Sequence, residues 1–178
     1  MQGGPGATSL YGVFENNGPM NAVFEDDADT TKATLNPYSW HRIANMIYVD
    51  NPIGTGFSFA DSGVLHTNQS EVADDLYEFL RQFFTLFSEF QANDFYAMGQ
   101  SYGGKWTTTI CKRIHDMNQI SNFKINLVGF GVGSGFISPE EQVIYADFLY
   151  KVSNWFQLHS QKSITAPSFM CGTSNLVI

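Results

Sequence analysis

Apolar and polar positions along the chain follow two different periods. Over residues 68–89 apolar side chains recur every three or four positions, at Val72, Leu76, Phe79, Leu80, Phe83 and Phe87, which predicts an amphipathic helix. Asn68, with Glu71 three residues later, resembles a capping box and sets where that helix begins. A second helix is expected over residues 104–118, with Trp106, Ile110 and Ile114 spaced four apart on one face. Short apolar runs at residues 46–49, 94–98 and 125–132 read as buried strands. Ser138-Pro139-Glu140-Glu141 is a capping box with Pro at the first helical position, so a third helix is expected from there to about Val152. Residues 9–14 show no clear period, Asn16-Asn17-Gly18-Pro19 is a strong turn signal, and residues 25–29 read as a solvated acidic loop. Past Trp155 the pattern decays. Strand, helix, strand, helix, strand, helix predicts an α/β fold with a parallel sheet; no internal repeat is visible.

The chain's candidate chemistry sits where the second strand meets the second helix. Gly99-Gln100-Ser101-Tyr102-Gly103-Gly104 contains G-x-S-x-G, and a Ser at a sharp strand-to-helix corner is the context of a nucleophile elbow. The glycines follow from a strained turn that leaves no room for side chains beside the Ser. The turn would lift Ser101 Oγ off the sheet and leave the Tyr102 N–H at the positive end of a helix, where it can stabilise an oxyanion. Gln2-Gly3-Gly4-Pro5-Gly6 is a second backbone able to aim N–H groups at an anion. Asp50-Asn51-Pro52-Ile53-Gly54-Thr55-Gly56-Phe57-Ser58 is a Gly/Pro-punctuated loop at a strand end, the edge where ligands gather in open α/β sheets. Gly133-Ser134-Gly135 does not continue into a dinucleotide fingerprint.

Composition narrows this picture. The 178 residues suit one domain, and 43% hydrophobic with 15% charged residues is a globular balance. A formal net charge of −8, with no Lys or Arg before Lys32, argues against nucleic acid or an anionic membrane surface as partner. No segment approaches the roughly 20-residue apolar run of a membrane span, and Met1 leads straight into the Gly-rich loop with no N-terminal signal. No His/Cys/Asp/Glu cluster has metal-ligand spacing, so no metal and no cofactor is expected. Cys111 reads as a small core residue and Cys171 as a residue of a loop-like tail. Asn68-Gln69-Ser70 is an N-glycosylation sequon, meaningful if the protein is secreted.

Four motifs in this order resemble the serine carboxypeptidases, an α/β-hydrolase family, and within it the vitellogenic-like carboxypeptidase branch. They are Gln2 to Gly6, Asp50 to Ser58, Gln100-Ser101-Tyr102-Gly103-Gly104-Lys105, and Gly133-Ser134-Gly135-Phe136-Ile137-Ser138-Pro139. The resemblance covers roughly residues 1–152, leaving 153–178 as a divergent tail. It implies an α/β-hydrolase-type parallel sheet with flanking helices, incomplete because N-terminal strands and the C-terminal half are absent. It also implies a serine-type carboxypeptidase that releases C-terminal residues from peptides through an acyl-enzyme on Ser101. The N–H groups of Gly4 and Tyr102 would form the oxyanion hole, while Gln2, Gly3, Asn16 and Gln100 would bind the substrate's terminal carboxylate. Where this chain has Asn16 and Gln100 the family usually has Glu, whose protonated carboxyl donates best in acid, whereas amides donate at any pH and do not ionise.

An acyl-transfer Ser needs a His base and an acid to orient it. Asp116, Asp147 and His159 follow Ser101, but the resemblance puts the acid and the His on much later strands, beyond residue 178. His41, His66 and His115 read as surface or structural. The resemblance also places the strand leading into the Gly-rich loop between the strands at residues 46–49 and 94–98. A sheet without that member leaves backbone groups of both neighbours unpaired. The expectation is therefore a segment of a longer secreted, lysosomal or vacuolar carboxypeptidase acting on peptides, this chain alone being inactive. A truncated, non-catalytic relic or binding module of the same fold and an acyltransferase relative are the alternatives; oligomeric state stays open.

Overall fold

The computed structural model describes residues 1–24, 31–61, 63, 65–142 and 148. They fall in two units, residues 1–137 and the segment from Ser138 onward. The first unit contains α1 (Leu10–Glu15), the strands β1 (Met20–Phe24) and β2 (Thr31–Leu35), α2 (Gln69–Leu86), β3 (Phe95–Gln100), α3 (Gly103–Ile120) and β4 (Leu127–Gly133). In the second unit α4 spans Pro139–Gln142, and Gln142 N–H closes its first turn on the Ser138 carbonyl. The expected course of that helix to Val152, the tail over 153–178, Cys171, Asp147 and His159 lie outside the described residues, as do residues 25–29 of the acidic loop.

The β3–α3–β4 unit is the expected strand–helix–strand element. β3 and β4 pair in parallel, with Gln100 opposite Gly133, and α3 packs on both strands. Its buried face is Trp106, Thr107, Ile110, Cys111 and Ile114, which includes the three residues that the fourfold spacing predicts. α2 packs against α3, and Leu76, Leu80, Phe84, Ala97, Ile110, Ile114 and Ile125 share one core. The core explains the high Cys111 thiol pKa, pushed up to about 11 by burial. Such a thiol packs rather than reacts.

Four features depart from the sequence reading. First, the buried face of α2 is Val72, Ala73, Leu76, Tyr77, Leu80 and Phe84, while Phe79 and Phe87 of the predicted stripe are exposed. The face is rotated because Phe84 meets Phe95 of β3 edge-on, with ring centroids 5.8 Å apart. Second, residues 46–49 form no strand. A strand exists through its ladder, and no backbone among the described residues pairs with this run. Third, residues 125 and 126 precede β4 instead of opening it. At Ile125 the side chain of Asn118 supplies the partners, its Oδ1 accepting from Ile125 N–H (3.1 Å) and its Nδ2 donating to Ile125 O (2.8 Å), while Asn126 O accepts from Phe95 N–H of β3 (2.8 Å). Fourth, α1 and the antiparallel pair β1–β2 occupy stretches without a readable period; the predicted turn at residues 16–19 lies between α1 and β1.

The N-cap of α2 is as predicted on one side, Asn68 Oδ1 accepting from Glu71 N–H at 3.0 Å. The return bond reaches one residue further back, from Thr67 N–H to Glu71 Oε2 (3.1 Å). His66 closes the same corner, its Nε2 bonded to Asp75 and its Nδ1 3.5 Å from Glu71 Oε2. The Asp75 bond raises the His66 pKa. His41 stacks on Tyr48 at 6.0 Å, and His115 is exposed on α3.

Ile114 is 0% exposed at the centre of this core. Truncation, Ile114→Ala, should therefore cost about 2–5 kcal/mol, read as a shift of the denaturant midpoint at constant slope. A loss below about 1 kcal/mol would show that the α2–α3 contact is not the core of the unit.

Candidate active site

Ser101 stands at the corner between β3 and α3 with φ of +56°, a left-handed conformation that non-glycine residues hold only under constraint. Its N–H donates to Gly133 O (2.9 Å), and its carbonyl accepts from Gly104 N–H (3.0 Å) and Phe136 N–H (2.9 Å). Three hydrogen bonds from three directions thus hold the strained residue, and its side chain is exposed. The glycines around it are demanded by close approach. A Cβ on Gly99 would lie 2.2 Å from Gly103 O and 2.3 Å from Thr107 Oγ1, so the first turn of α3 rests directly on β3. A Cβ on Gly103 would lie 2.6 Å from Met1 O. The elbow expected from G-x-S-x-G is present.

The N-terminal segment is seated on this elbow. Met1 makes one parallel rung along the free edge of β3, donating to Met98 O (2.9 Å) and accepting from Gln100 N–H (3.1 Å). Gly3 is buried so close that a Cβ would lie 2.5 Å from Tyr102 N and 2.8 Å from Ser101 Cβ. Gly4 follows with φ of +117°, and a turn closes behind it through Ala7 N–H to Gly3 O (3.0 Å). Among the described residues neither the Gly4 nor the Tyr102 N–H has a hydrogen-bond partner, so both donors beside Ser101 are available to a ligand. The Tyr102 ring is itself held, 4.9 Å from Trp106 and 5.9 Å from Phe136, with Lys105 Nζ 4.8 Å above it and 5.0 Å from the Phe136 ring.

Beside the elbow three side-chain amides meet from distant parts of the chain. Gln100 Oε1 accepts from Gln2 Nε2 (3.2 Å) and from Asn16 Nδ2 (3.4 Å). The acceptor of Gln100 is thereby used inside the cluster, which leaves its Nε2 hydrogens for a ligand. A carboxylate offered to this cluster would meet neutral donors only. The amides are among the residues lining a cavity of about 1130 Å³ that is otherwise walled by residues 43–49, β3 and apolar side chains of α2 such as Leu76 and Phe84. Ser101 is not part of that lining.

Sequence reasoning singled out Ser101, Gly4, Tyr102, Gln2, Gly3, Asn16 and Gln100, and the structure gathers all seven around one corner. Asn68 stands apart, exposed at the N-cap of α2. Asp50 opens the Gly/Pro-punctuated loop and the second of the four motifs, and the sequence assigns it no role of its own. Its Oδ1 accepts from Ser9 N–H (2.7 Å) and Thr8 Oγ1 (2.8 Å), and its Oδ2 from Phe57 N–H (2.9 Å). Burial alone would raise its pKa; the bonds from Phe57, Thr8 and Ser9 outweigh that and hold the carboxyl below its ordinary range. The signals for it in the sequence are an acidic residue at the end of an apolar run and its place in the second motif. Its partners Thr8 and Ser9 lie more than 40 residues away, where no local pattern reaches them.

Comparison with known proteins gives the family and the fold. The family model for serine carboxypeptidase matches residues 1–173. The venom serine carboxypeptidase of Apis mellifera is 45% identical over 153 residues, covering 85% of this chain and 32% of its own length. The vitellogenic carboxypeptidase of Aedes aegypti is 43% identical over 153 residues, with 85% and 31% covered. The probable serine carboxypeptidase CPVL of Homo sapiens is 42% identical over 156 residues, with 85% and 31% covered. Among solved structures, a prohormone-processing carboxypeptidase from Saccharomyces cerevisiae superposes with a TM-score of 0.74 at 26% identity, over 89% of this chain and 35% of the other. The chain spans about a third of the length of the curated relatives it matches. Its fold is that part of an α/β-hydrolase-type sheet, and the chain belongs to the serine carboxypeptidase family.

Proposed function

We propose that this chain carries the nucleophile, the oxyanion donors and the terminal-carboxylate subsite of a serine carboxypeptidase acting on peptides. The observation that carries the reading is the seating of Gly3 against the Tyr102 amide, which brings the Gly4 loop, Ser101 and the amide cluster to one place. Ser101 Oγ attacks the carbonyl carbon of the last peptide bond as a histidine base takes its proton. The oxyanion accepts from Gly4 and Tyr102 N–H, each donor worth roughly 3–4 kcal/mol of barrier. The proton passes to the departing amino acid, and water then cleaves the Ser101 ester. Among the described residues no histidine is bonded to Ser101. In this reading the base and its acid belong to the two thirds of the relatives' length that this chain does not span.

The amides of Gln2, Asn16 and Gln100 hold the free carboxylate of the substrate, which is what makes the reaction exopeptidic. Secretion or delivery to a lysosome is part of the same reading, supported by the venom named in the honey-bee relative. Asn68 is then a glycan site: its Oδ1 caps α2 while its Nδ2 stays free for the sugar.

Mass spectrometry of the native protein from its source after a fluorophosphonate probe should show a mass well above 19.9 kDa and a single adduct on Ser101; an unmodified Ser101 in that protein would overturn the reading. Because no member of the carboxylate cluster titrates, KM for a peptide should stay level from acidic to neutral pH. A steep rise toward neutral would refute the neutral clamp. Glycosidase treatment of the native protein should lower its apparent mass, and Asn68→Asp, which keeps the cap oxygen, should abolish that shift while leaving stability unchanged. An identical shift in the variant would place the glycan elsewhere.

A further inference from the structure

Asp50 joins the Gly-rich loop beside the elbow to the loop over residues 50–58, and its side-chain partners among the described residues are all uncharged donors. On one side it holds Thr8 and Ser9 at the end of the Gly-rich loop. Ser9 Oγ in turn accepts from Gln2 N–H (3.1 Å) at the other end of that loop and donates to Val49 O. Gly4 therefore sits inside a bracket: Ala7 N–H to Gly3 O closes its turn, and Ser9, fixed by Asp50, ties down both flanks. On the other side Phe57 N–H reaches Asp50 Oδ2, Ser58 Oγ donates to Asp50 O (2.7 Å), and Gly54 N–H closes the loop on Ser58 O (2.9 Å). Gly56, with φ of +55°, passes so close that a Cβ would lie 2.1 Å from Asp50 Oδ2. No other side chain in the described structure bridges these two loops with as many bonds.

We propose that Asp50 is a positioning residue for the oxyanion donor, aiming the Gly4 N–H by fixing both ends of the loop that carries it. The inference rests on the peptidase reading of Ser101 for its kinetic consequence. Its geometric content, an ordered Gly4 loop dependent on one carboxylate, stands apart from that reading. An ionised carboxylate suits the task because all three of its bonds point at it from donors; in an amide one acceptor becomes a donor. In Asp50→Asn the new NH₂ must face either Phe57 N–H or the Ser9 and Thr8 donors, and one loop loses its anchor.

The test is made in the intact protein. Asp50→Asn should lower kcat for release of a C-terminal residue by at least about tenfold while KM changes by less than about threefold, since the oxyanion forms only in the transition state. Thr8→Val should give a smaller fall in kcat that Thr8→Ser restores. In Asp50→Asn, amide hydrogen exchange should accelerate at Ala7 and Ser9 and stay slow at Ile110 and Ile114 in α3. A raised KM with unchanged kcat, or faster exchange spread through α3, would overturn the proposal. If the unsubstituted protein releases no residue, the peptidase reading fails and exchange alone decides. Selective acceleration at Ala7 and Ser9 then upholds the positioning role, and unchanged exchange there refutes it.

Discussion

The left-handed backbone of Ser101 is the constraint on which the rest of this unit depends. A non-glycine residue in that conformation costs on the order of 1–3 kcal/mol, and it persists because surrounding bonds over-determine it. Here the bonds come from the last residue of β4, from the first turn of α3 and from Phe136 beyond β4. The parallel register that sets Gln100 opposite Gly133 is therefore part of the site: a shift by one residue would remove the acceptor of the Ser101 N–H. Glycine at 99 and 103 lets helix, strand and N-terminal segment approach until no Cβ fits between them. Strain, register and close packing are one arrangement seen from three sides.

Electrostatics around that corner is unusual for a chain of net charge −8. The amide cluster lining the cavity is neutral, and Asp50 is surrounded by hydroxyl and backbone donors. The cationic side chain of Lys105 lies over the rings of Tyr102 and Phe136. A substrate carboxylate approaching Gln100 would be received by dipoles, whose donor strength does not change across the range where carboxyl groups titrate. Asn16 and Gln100, 84 residues apart, are joined through one oxygen. Their effects on binding are therefore coupled and should be measured together.

Much of this was legible beforehand, for identifiable reasons. Helices α2 and α3 carry long apolar periodicity, and the Asn68 cap and the elbow glycines are local signals. The facing of α2 was not legible, because which of two adjacent apolar stripes is buried depends on where Phe95 lies across the core. The run at residues 46–49 is apolar enough for a strand, yet pairing is a property of two segments and its composition describes one. The same limit hid Asn118, whose amide bonds the backbone of Ile125, and the β1–β2 pair, which carries no strong alternation.

By itself the sequence determined the α/β class, the helix–strand–helix–strand order from α2 to β4, the strand–turn–helix corner, the nucleophile candidate and the family, since all of these are written in local spacing and in four ordered motifs. It also determined that any anion subsite built from Gln2, Asn16 and Gln100 is uncharged. Tertiary structure alone decided that these amides meet on one oxygen, that Gly3 rests on the Tyr102 amide, and that Asp50 ties residues 8 and 9 to residue 57. Each of those contacts joins segments between 7 and 99 residues apart, and hydrogen bonds over such separations are set by how the layers pack and leave no trace in local pattern.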